Sequence, residues 1–208
     1  ILLLVVIILL AAFFRLWQLN SLPPGLWPDE TAYANDAIES LQTGSFKVFY
    51  PDNQGREGLF MWLLAASFSI FGISIWSFKM VGAIIGVLTV LGTYFLAKEL
   101  FSRQIALLSS FFIAISFWAV NFSRIGFRAN LLPLVLVFTF YFFFRSVRTK
   151  RFLDFILCGA VFGLGFYTYI SFRLAVLAFG FLLLFWIFVA MRESWLKRYF
   201  GGAGLLLI

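Results

Sequence analysis

The chain has 208 residues, of which 63% are hydrophobic, 21% are aromatic and only 12% are charged. Soluble domains are about half apolar and about a quarter charged, so this composition excludes an ordinary soluble domain and predicts a membrane protein. Histidine is absent and Cys158 is the sole cysteine, which excludes histidine general bases, histidine-ligated metals and an intrachain disulfide. The net charge of +7 does not predict a nucleic-acid partner, because basic residues of membrane proteins collect in loops on one side.

The predicted elements begin with an apolar run. Residues 1–19 open with fourteen consecutive apolar residues and predict a first spanning helix, with a signal-peptide core as the alternative. We expect the chain to be a fragment, because it has no initiator methionine and ends within another apolar run. Residues 20–57 form the longest polar stretch, which contains the helix-breaking pair Pro23-Pro24. They are predicted to be the first outer loop.

A surface helix is predicted inside this loop. Asp29 occupies the place expected of an N-cap, the helical pattern begins at Glu30, and Gly44 is a plausible C-terminal stop. The amphipathic pattern predicts a helix that lies on the membrane surface. A loop is predicted over residues 50–55. The apolar stripe of the helix is predicted to contain Ala34, Ile38 and Leu41.

Six apolar segments follow this loop, and the last five are predicted to span the membrane over residues 78–191. A further span could begin at Tyr199. The first segment, residues 59–71, would be about 20 Å long as a helix, which is too short to cross comfortably. The six segments are Leu59–Phe71, Phe78–Ala97, Gln104–Val120, Leu131–Phe144, Phe155–Ile170 and Leu174–Met191.

The distribution of basic residues assigns the two sides. Three loops, near residues 98–103, 145–154 and 192–198, together hold nine basic and three acidic residues, and the positive-inside rule places these loops in the cytoplasm. Residues 59–71 then begin and end outside. We therefore predict a re-entrant or surface helix there, with a short spanning helix of inverted sides as the alternative. Residues 1–208 are predicted to form a single all-α, polytopic transmembrane module.

Carboxylates on the outer face are the candidates for catalysis. Without histidine, a carboxylate is the plausible general base near neutral pH. For Asp29 and Glu30 the ordinary explanation is helix capping and a favourable interaction with the helix dipole; the functional explanation makes one of them the base. Glu57 is a second candidate, because its flanking glycines would let the backbone approach a ligand closely.

Basic residues on the same face predict an anion site. Fixed cations at helix ends suit a phosphate or another anionic head group, whereas snorkelling to lipid phosphate is the ordinary explanation. We expect a phosphate site, because several cations share this face with the carboxylate pair. The cations are Arg56, Lys79, Arg124, Arg128 and Arg173.

Three groups of motifs together resemble a known family. They are Asp29-Glu30-x-x-Tyr33; Gly55-Arg56-Glu57-Gly58-Leu59-Phe60 with Phe78-Lys79-Met80-Val81-Gly82; and Ser123-Arg124-Ile125-Gly126-Phe127-Arg128 with Tyr167-Thr168-Tyr169-Ile170-Ser171-Phe172-Arg173. This pattern resembles the bacterial family 39 glycosyltransferases. Those are membrane-embedded GT-C enzymes related to protein O-mannosyltransferases and to the aminoarabinose transferases of lipid A. The resemblance covers roughly residues 10–190.

The resemblance implies a function and its partners. A sugar would pass, with inversion, from a polyprenyl phosphate to an acceptor on the extracytoplasmic face of a bacterial plasma membrane. No metal or other cofactor is expected. The implied partners are membrane lipid, the polyprenyl-phosphate sugar, and a glycan, lipid or protein acceptor.

The resemblance also implies roles for individual residues. Asp29 matches the acidic residue that acts as base or positions the acceptor, Glu30 matches the second acid of that motif, and Glu57 lies near another acidic position. The five cations would hold the donor phosphate. Asn130 stands where many relatives carry Asp, which leaves a third carboxylate and the acceptor open. The residues expected to contact substrate are Tyr33, Asn130 and Tyr169.

Two other classes of protein compete with this interpretation. A transporter or flippase of a lipid-linked or anionic solute would line a pathway with charged residues. The ionisable residues collect on one face, and none sits centrally in a predicted span, which argues against transport. A non-catalytic membrane scaffold would leave Asp29 and Glu30 incidental.

Overall fold

The fold is built almost entirely from α-helices. The computed structural model describes residues 2–51 and 55–200, except for the side chains of residues 190 and 193–200. The predicted all-α polytopic class is confirmed. The predicted turn over 50–55 lies partly outside the described residues, and the further span predicted from Tyr199 lies almost wholly outside them.

The elements belong to two compact units, Ile1–Ile170 and Ser171–Ile208. The second unit contains α9. Short 3-10 turns cover Arg128–Asn130 and Gly165–Tyr167. The helices and strands are α1 (Leu2–Leu16), α2 (Pro28–Thr43), β1 (Phe49–Tyr50), β2 (Arg56–Glu57), α3 (Leu59–Phe71), α4 (Ile75–Leu100), α5 (Arg103–Ile115), α6 (Phe117–Arg124), α7 (Leu131–Thr149), α8 (Phe152–Leu164) and α9 (Phe172–Phe200).

Three of the described helical segments are long and apolar enough to span a membrane: Ile75–Leu100, Arg128–Thr149 and Phe172–Val189. Helices α5 and α6 would add a fourth span if they cross as one segment bent by 55°. The fourth predicted span, Phe155–Ile170, is shifted by three residues in the structure, where α8 and its following turn cover Phe152–Tyr167 and are shorter than the clear spans. The five spans predicted over residues 78–191 therefore stay a prediction.

The segment predicted as one helix, Gln104–Val120, is broken into α5 and α6. Ser116 has extended backbone angles, with φ −57° and ψ 123°. The buried guanidinium of Arg15 donates to the carbonyl oxygens of Ile113 and Ala114, at 3.2 and 2.9 Å. Arg15 thereby satisfies carbonyls that the end of α5 leaves without helical partners.

The start of α2 differs from the prediction. Trp27 is the N-cap residue, so the predicted cap at Asp29 is wrong. Pro28 takes the first helical position, where its missing N–H loses no hydrogen bond. Glu30 is the third helical residue, and its Oε2 accepts a hydrogen bond from the Trp27 backbone N–H at 2.7 Å. Carboxylates in a first helical turn also interact favourably with the helix dipole.

The buried face of α2 is turned slightly from the predicted stripe. Tyr33, Ala34 and Ala37 are buried, Ile38 is partly buried, and Leu41 is 37% exposed. The place of Leu41 in a stripe that meets the membrane stays a prediction. The buried face packs against α3, and the ring of Tyr33 meets that of Phe60 edge-on at 5.9 Å. The predicted stop at Gly44 is confirmed, with φ +69°.

A β-hairpin with two residues in each strand follows α2, where the sequence predicted only a loop. In its antiparallel pairing, Tyr50 faces Arg56 and Phe49 faces Glu57. The flanking glycines serve the hairpin itself. Gly55 has φ +91°, and a Cβ on Gly58 would lie 2.3 Å from the carbonyl oxygen of Lys47. Within the described residues, these glycines therefore let one backbone segment of the hairpin approach another closely.

Helix α3 crosses the first turns of α4. Its first turn meets α4 where the rings of Phe60 and Phe78 are 6.3 Å apart. Two turns later, the hydroxyl of Ser67 donates to the carbonyl oxygen of Ser77 at 2.7 Å. Both contacts fall on neighbouring residues of α4, so α3 does not run alongside that helix. Whether α3 lies on the membrane or re-enters it stays a prediction.

Helix α4 is the centre of the first unit, and it contacts neighbouring segments through glycines. A Cβ on Gly82 would lie 2.6 Å from the backbone oxygen of Ser123, and one on Gly92 would lie 2.6 Å from Cγ2 of Val137. Small residues at such crossings let membrane helices approach closely.

We expect Gly82→Ala to lower the free energy of unfolding in detergent by about 1–3 kcal/mol, because the new methyl group would overlap backbone atoms that cannot rotate away. Gly159→Ala is the matched control, since Gly159 is also helical and has open space around its Cα. Thermal unfolding of the two variants tests the difference. Equal stability of both would contradict the close packing at Gly82.

Candidate functional site

The candidate site gathers charged and aromatic side chains at one end of the first unit. Arg128 Nη1 and Glu57 Oε2 form an ion pair at 2.5 Å, in which each side chain is only 11% exposed. The Arg128 guanidinium carbon also lies 5.9 Å from the Tyr33 ring centroid and 5.0 Å from that of Tyr169. The guanidinium carbon of Arg56 lies 5.7 Å from the centroid of the Tyr33 ring. The structure thus brings together five of the residues that the sequence singled out.

The two arginines of this cluster keep N–H groups that could serve a ligand. Arg56 is 3% exposed, and its Nη2 pairs with Asp36 Oδ2 at 3.0 Å. Within the described part of the chain, Nε and Nη1 of Arg56 and Nε of Arg128 are buried and have no hydrogen-bond partner. Buried donors are normally satisfied, so an anionic ligand with several acceptor oxygens fits this place.

Asp29 and Glu30 are adjacent in sequence but lie in different environments. Asp29 is exposed, one helical turn before Tyr33. Glu30 is 3% exposed; its burial raises the pKa of the carboxyl group, an effect opposed by the Trp27 hydrogen bond and by the charge of Lys79. Burial likewise raises the pKa of Tyr33, whereas nearby Arg128 opposes the rise. The phenol of Tyr33 therefore stays protonated at neutral pH.

Lys79 and Arg124 are engaged with backbone oxygens. The ammonium group of Lys79, 0% exposed, donates to the Pro23 carbonyl at 2.5 Å. Arg124 donates to the carbonyl oxygens of Phe14, Trp17 and Leu22 at 2.7, 2.7 and 2.8 Å. Their predicted role in holding phosphate stays a prediction; in the structure they bind the end of α1 and the chain that leads to α2.

An apolar cavity of about 290 Å³ lies beside the cluster. Asn130 borders it, and the amide of Asn130 donates to the Gly82 carbonyl at 3.2 Å. A row of aromatic rings connects the cavity to the cluster. The ring centroid of Phe127, which lines the cavity, lies 6.0 Å from that of Phe122 and 6.0 Å from that of Tyr169. The other apolar or aromatic lining residues include Trp118, Ala119 and Pro133.

Arg15, which also borders this cavity, was missed by the sequence analysis. It is 0% exposed, and the available signal was an arginine inside an apolar run. Arg173 lies in the second unit, so its predicted place in the phosphate site stays a prediction. Across residues 2–51 and 55–200, no group of three or more metal-ligating side chains could hold a metal ion; the expectation of no cofactor remains a prediction.

These features define a polytopic α-helical membrane protein with a charged, tyrosine-lined site at one end of its helices. The chain belongs to the dolichyl-phosphate-mannose-protein mannosyltransferase family, which matches residues 59–208. This confirms the resemblance to GT-C glycosyltransferases.

A curated relative is also similar to this chain. It is the undecaprenyl phosphate-alpha-4-amino-4-deoxy-L-arabinose arabinosyl transferase of Pseudomonas savastanoi pv. phaseolicola (strain 1448A / Race 6). The two are 28% identical over 171 residues, which cover 77% of this chain and 32% of the relative. This chain therefore spans about a third of the relative's length. No solved structure matches the chain.

Proposed function

We propose that the protein is a membrane glycosyltransferase that moves a sugar from a polyprenyl-phosphate donor to an acceptor hydroxyl or amine. Family membership supports this class of reaction. The observation that carries the proposal is the pair Arg56 and Arg128, because Nε and Nη1 of Arg56 and Nε of Arg128 are buried without a hydrogen-bond partner among the described residues. A phosphate joined to a sugar and a lipid supplies the acceptor oxygens that those groups need. The site is proposed to face the extracytoplasmic side.

Arg56 and Arg128 are the proposed phosphate ligands. During transfer, the bond between the sugar C1 and the phosphate oxygen breaks, and the phosphate gains negative charge. Fixed guanidinium groups stabilise that charge without reorganising. Glu57 and Asp36 hold these guanidiniums through ion pairs at 2.5 and 3.0 Å, which positions Glu57 as an orienting group for Arg128.

Asp29 is the proposed general base. It is exposed on α2, whereas Glu30 and Glu57 are both buried. In a single displacement, the acceptor oxygen or nitrogen attacks C1 from the face opposite the phosphate, and its proton passes to the Asp29 carboxylate. The polyprenyl phosphate leaves, and the configuration at C1 inverts. Tyr33 and Tyr169 flank Arg128 and are proposed to contact the sugar.

The remaining predicted residues have supporting roles. Lys79 and Arg124 hold the segment that leads into Asp29, through its backbone carbonyls. The apolar cavity beside Asn130 is the proposed place of the first isoprenoid units, because aromatic side chains connect it to Arg128 through Tyr169.

The proposed function is tested with the full-length protein in membrane vesicles supplied with a radiolabelled polyprenyl-phosphate sugar. We expect label to move onto an acceptor and free polyprenyl phosphate to appear in equal amount. In vesicles with the double variant Arg56→Met and Arg128→Met, we expect no label on the acceptor and no free polyprenyl phosphate. Movement of intact labelled donor between leaflets, without cleavage of the sugar–phosphate bond, would instead establish a flippase.

A further inference from the structure

A second cavity, which is polar, lies at the far end of α4 from the candidate site. Lys79 and Lys98 are separated by roughly 30 Å along this helix at 1.5 Å per residue. The cavity has a volume of about 580 Å³ and lies where the ends of α4 and α7 meet the turn before α8. Its polar lining residues include Lys98, Glu99, Arg145, Arg148, Thr149 and Arg151.

Two carboxylates hold the arginines of this cavity: Glu99 lines it, and Asp154 contacts the lining residues Arg145 and Thr149. Glu99 accepts hydrogen bonds from both Nε and Nη2 of Arg148, the second at 2.9 Å. Asp154 lies 3.3 Å from Arg145 Nε and accepts a hydrogen bond from Thr149 at 2.8 Å. The carboxylate side chains are only 9% and 5% exposed, whereas that of Arg148 is 64% exposed. The buried carboxylates of Glu99 and Asp154 therefore bind the inner sides of Arg148 and Arg145, and part of each arginine side chain stays exposed to solvent.

The cavity has more cations than these carboxylates can neutralise. Lys98 and Arg151 are exposed and come from separate segments, the last turn of α4 and the turn before α8. Neither forms an ion pair with any side chain that the structure describes. The positive-inside rule accounts for basic residues in these loops, but it does not require them to converge on one concave surface.

Exposed apolar side chains adjoin these cations. Leu100 and Phe101 follow Lys98 and are 41% and 63% exposed, and Phe152 follows Arg151 and is 77% exposed. Such neighbours indicate a membrane interface, where a ligand can place its charge in the cavity and its hydrocarbon in the bilayer. Basic cavities between membrane helices at the cytoplasmic side bind anionic lipid head groups.

We propose that this cavity binds the phosphate of an anionic phospholipid in the leaflet that meets this end of the helices. Lys98 and Arg151 are its direct ligands, joined by the outward-facing part of Arg148. The site does not depend on the proposed transfer reaction, because it lies at the opposite end of α4.

The test measures the affinity of the full-length protein, in phosphatidylcholine nanodiscs, for short-chain phosphatidylglycerol. We expect Lys98→Gln and Arg151→Gln to weaken binding about fivefold each and about 30-fold together, from roughly 1 kcal/mol per basic residue at a membrane surface. Arg103→Gln is the matched control, because Arg103 is exposed at the same end of the helices but does not line the cavity. Thermal unfolding without phosphatidylglycerol should be the same for all variants.

Three results would overturn the proposal. An equal loss in Arg103→Gln would show a diffuse surface potential in place of a site. Unchanged affinity for phosphatidylglycerol in the double variant would show that Lys98 and Arg151 are not its ligands. Inorganic phosphate that binds as tightly as phosphatidylglycerol would show a soluble-anion site, and the expected result is at least tenfold weaker binding of inorganic phosphate.

Discussion

Asp29→Asn should lower the rate of sugar transfer by about 10²–10⁴-fold, the contribution typical of a positioned general base. The substitution keeps the size of the side chain but removes its ability to accept a proton. Asp29 is exposed and is not the N-cap of α2, so we expect the change in the free energy of unfolding to be small, and thermal unfolding of the variant checks it. The turnover rate at saturating donor and the dissociation constant of the donor are measured together, and only the first should change.

Glu57→Gln separates the two candidate bases. Glu57 is paired with Arg128, so we expect its loss to act mainly through donor binding and to raise KM more than it lowers kcat. The same pH profile for Glu57→Gln and the unaltered protein would agree with this role. If Asp29→Asn transfers sugar normally while Glu57→Gln does not, Glu57 is the base and Asp29 is not.

Arg128→Met should weaken donor binding by about 10- to 100-fold, because hydrogen bonds to charged groups contribute about 1.5–3 kcal/mol. Arg128→Lys should restore little of this affinity, since an ammonium group cannot reproduce the planar contact with Tyr33 and Tyr169. The loss should appear in the dissociation constant of the polyprenyl-phosphate sugar. Equal affinity in Arg128→Met and the unaltered protein would exclude Arg128 from the phosphate site.

Arg124→Met provides the contrast. Arg124 was predicted from sequence to bind phosphate as well, but its guanidinium satisfies three backbone carbonyls. Leaving a buried acceptor unsatisfied costs about 1–3 kcal/mol, and these partly buried carbonyls should each cost less than that. We therefore expect Arg124→Met to lower the thermal unfolding temperature. At a temperature where the variant is folded, donor affinity should fall less than in Arg128→Met.

The sequence was sufficient to predict the helical class and much of the candidate cluster. Hydropathy alone identified α4 and α7, because long apolar segments have few alternatives to a membrane helix. Tyr33, Arg56, Glu57 and Arg128 were each singled out before their contacts were known. The contacts among these four side chains could not be derived from their positions in the sequence, because they depend on how α2, the hairpin and the turn before α7 pack together.

Other features depend on contacts between distant parts of the chain. The hairpin strands have two residues each, which is too short for an alternating pattern to be recognised. Arg15 is another example, since its partners Ile113 and Ala114 belong to α5. The sequence assigns five cations of the outer face to one phosphate site. The structure separates Arg56 and Arg128, which keep unpartnered N–H groups among the described residues, from Lys79 and Arg124, which bind carbonyls.

The contacts of Lys79 and Arg124 with main-chain oxygens have an evolutionary consequence. Every amino acid carries a carbonyl, so Phe14, Trp17, Leu22 and Pro23 can change identity without losing these four hydrogen bonds. The constraint falls on the two donors and on the path of the backbone. Among homologues that keep this site, we therefore expect substitutions to accumulate more freely at these four positions than at Lys79 or Arg124.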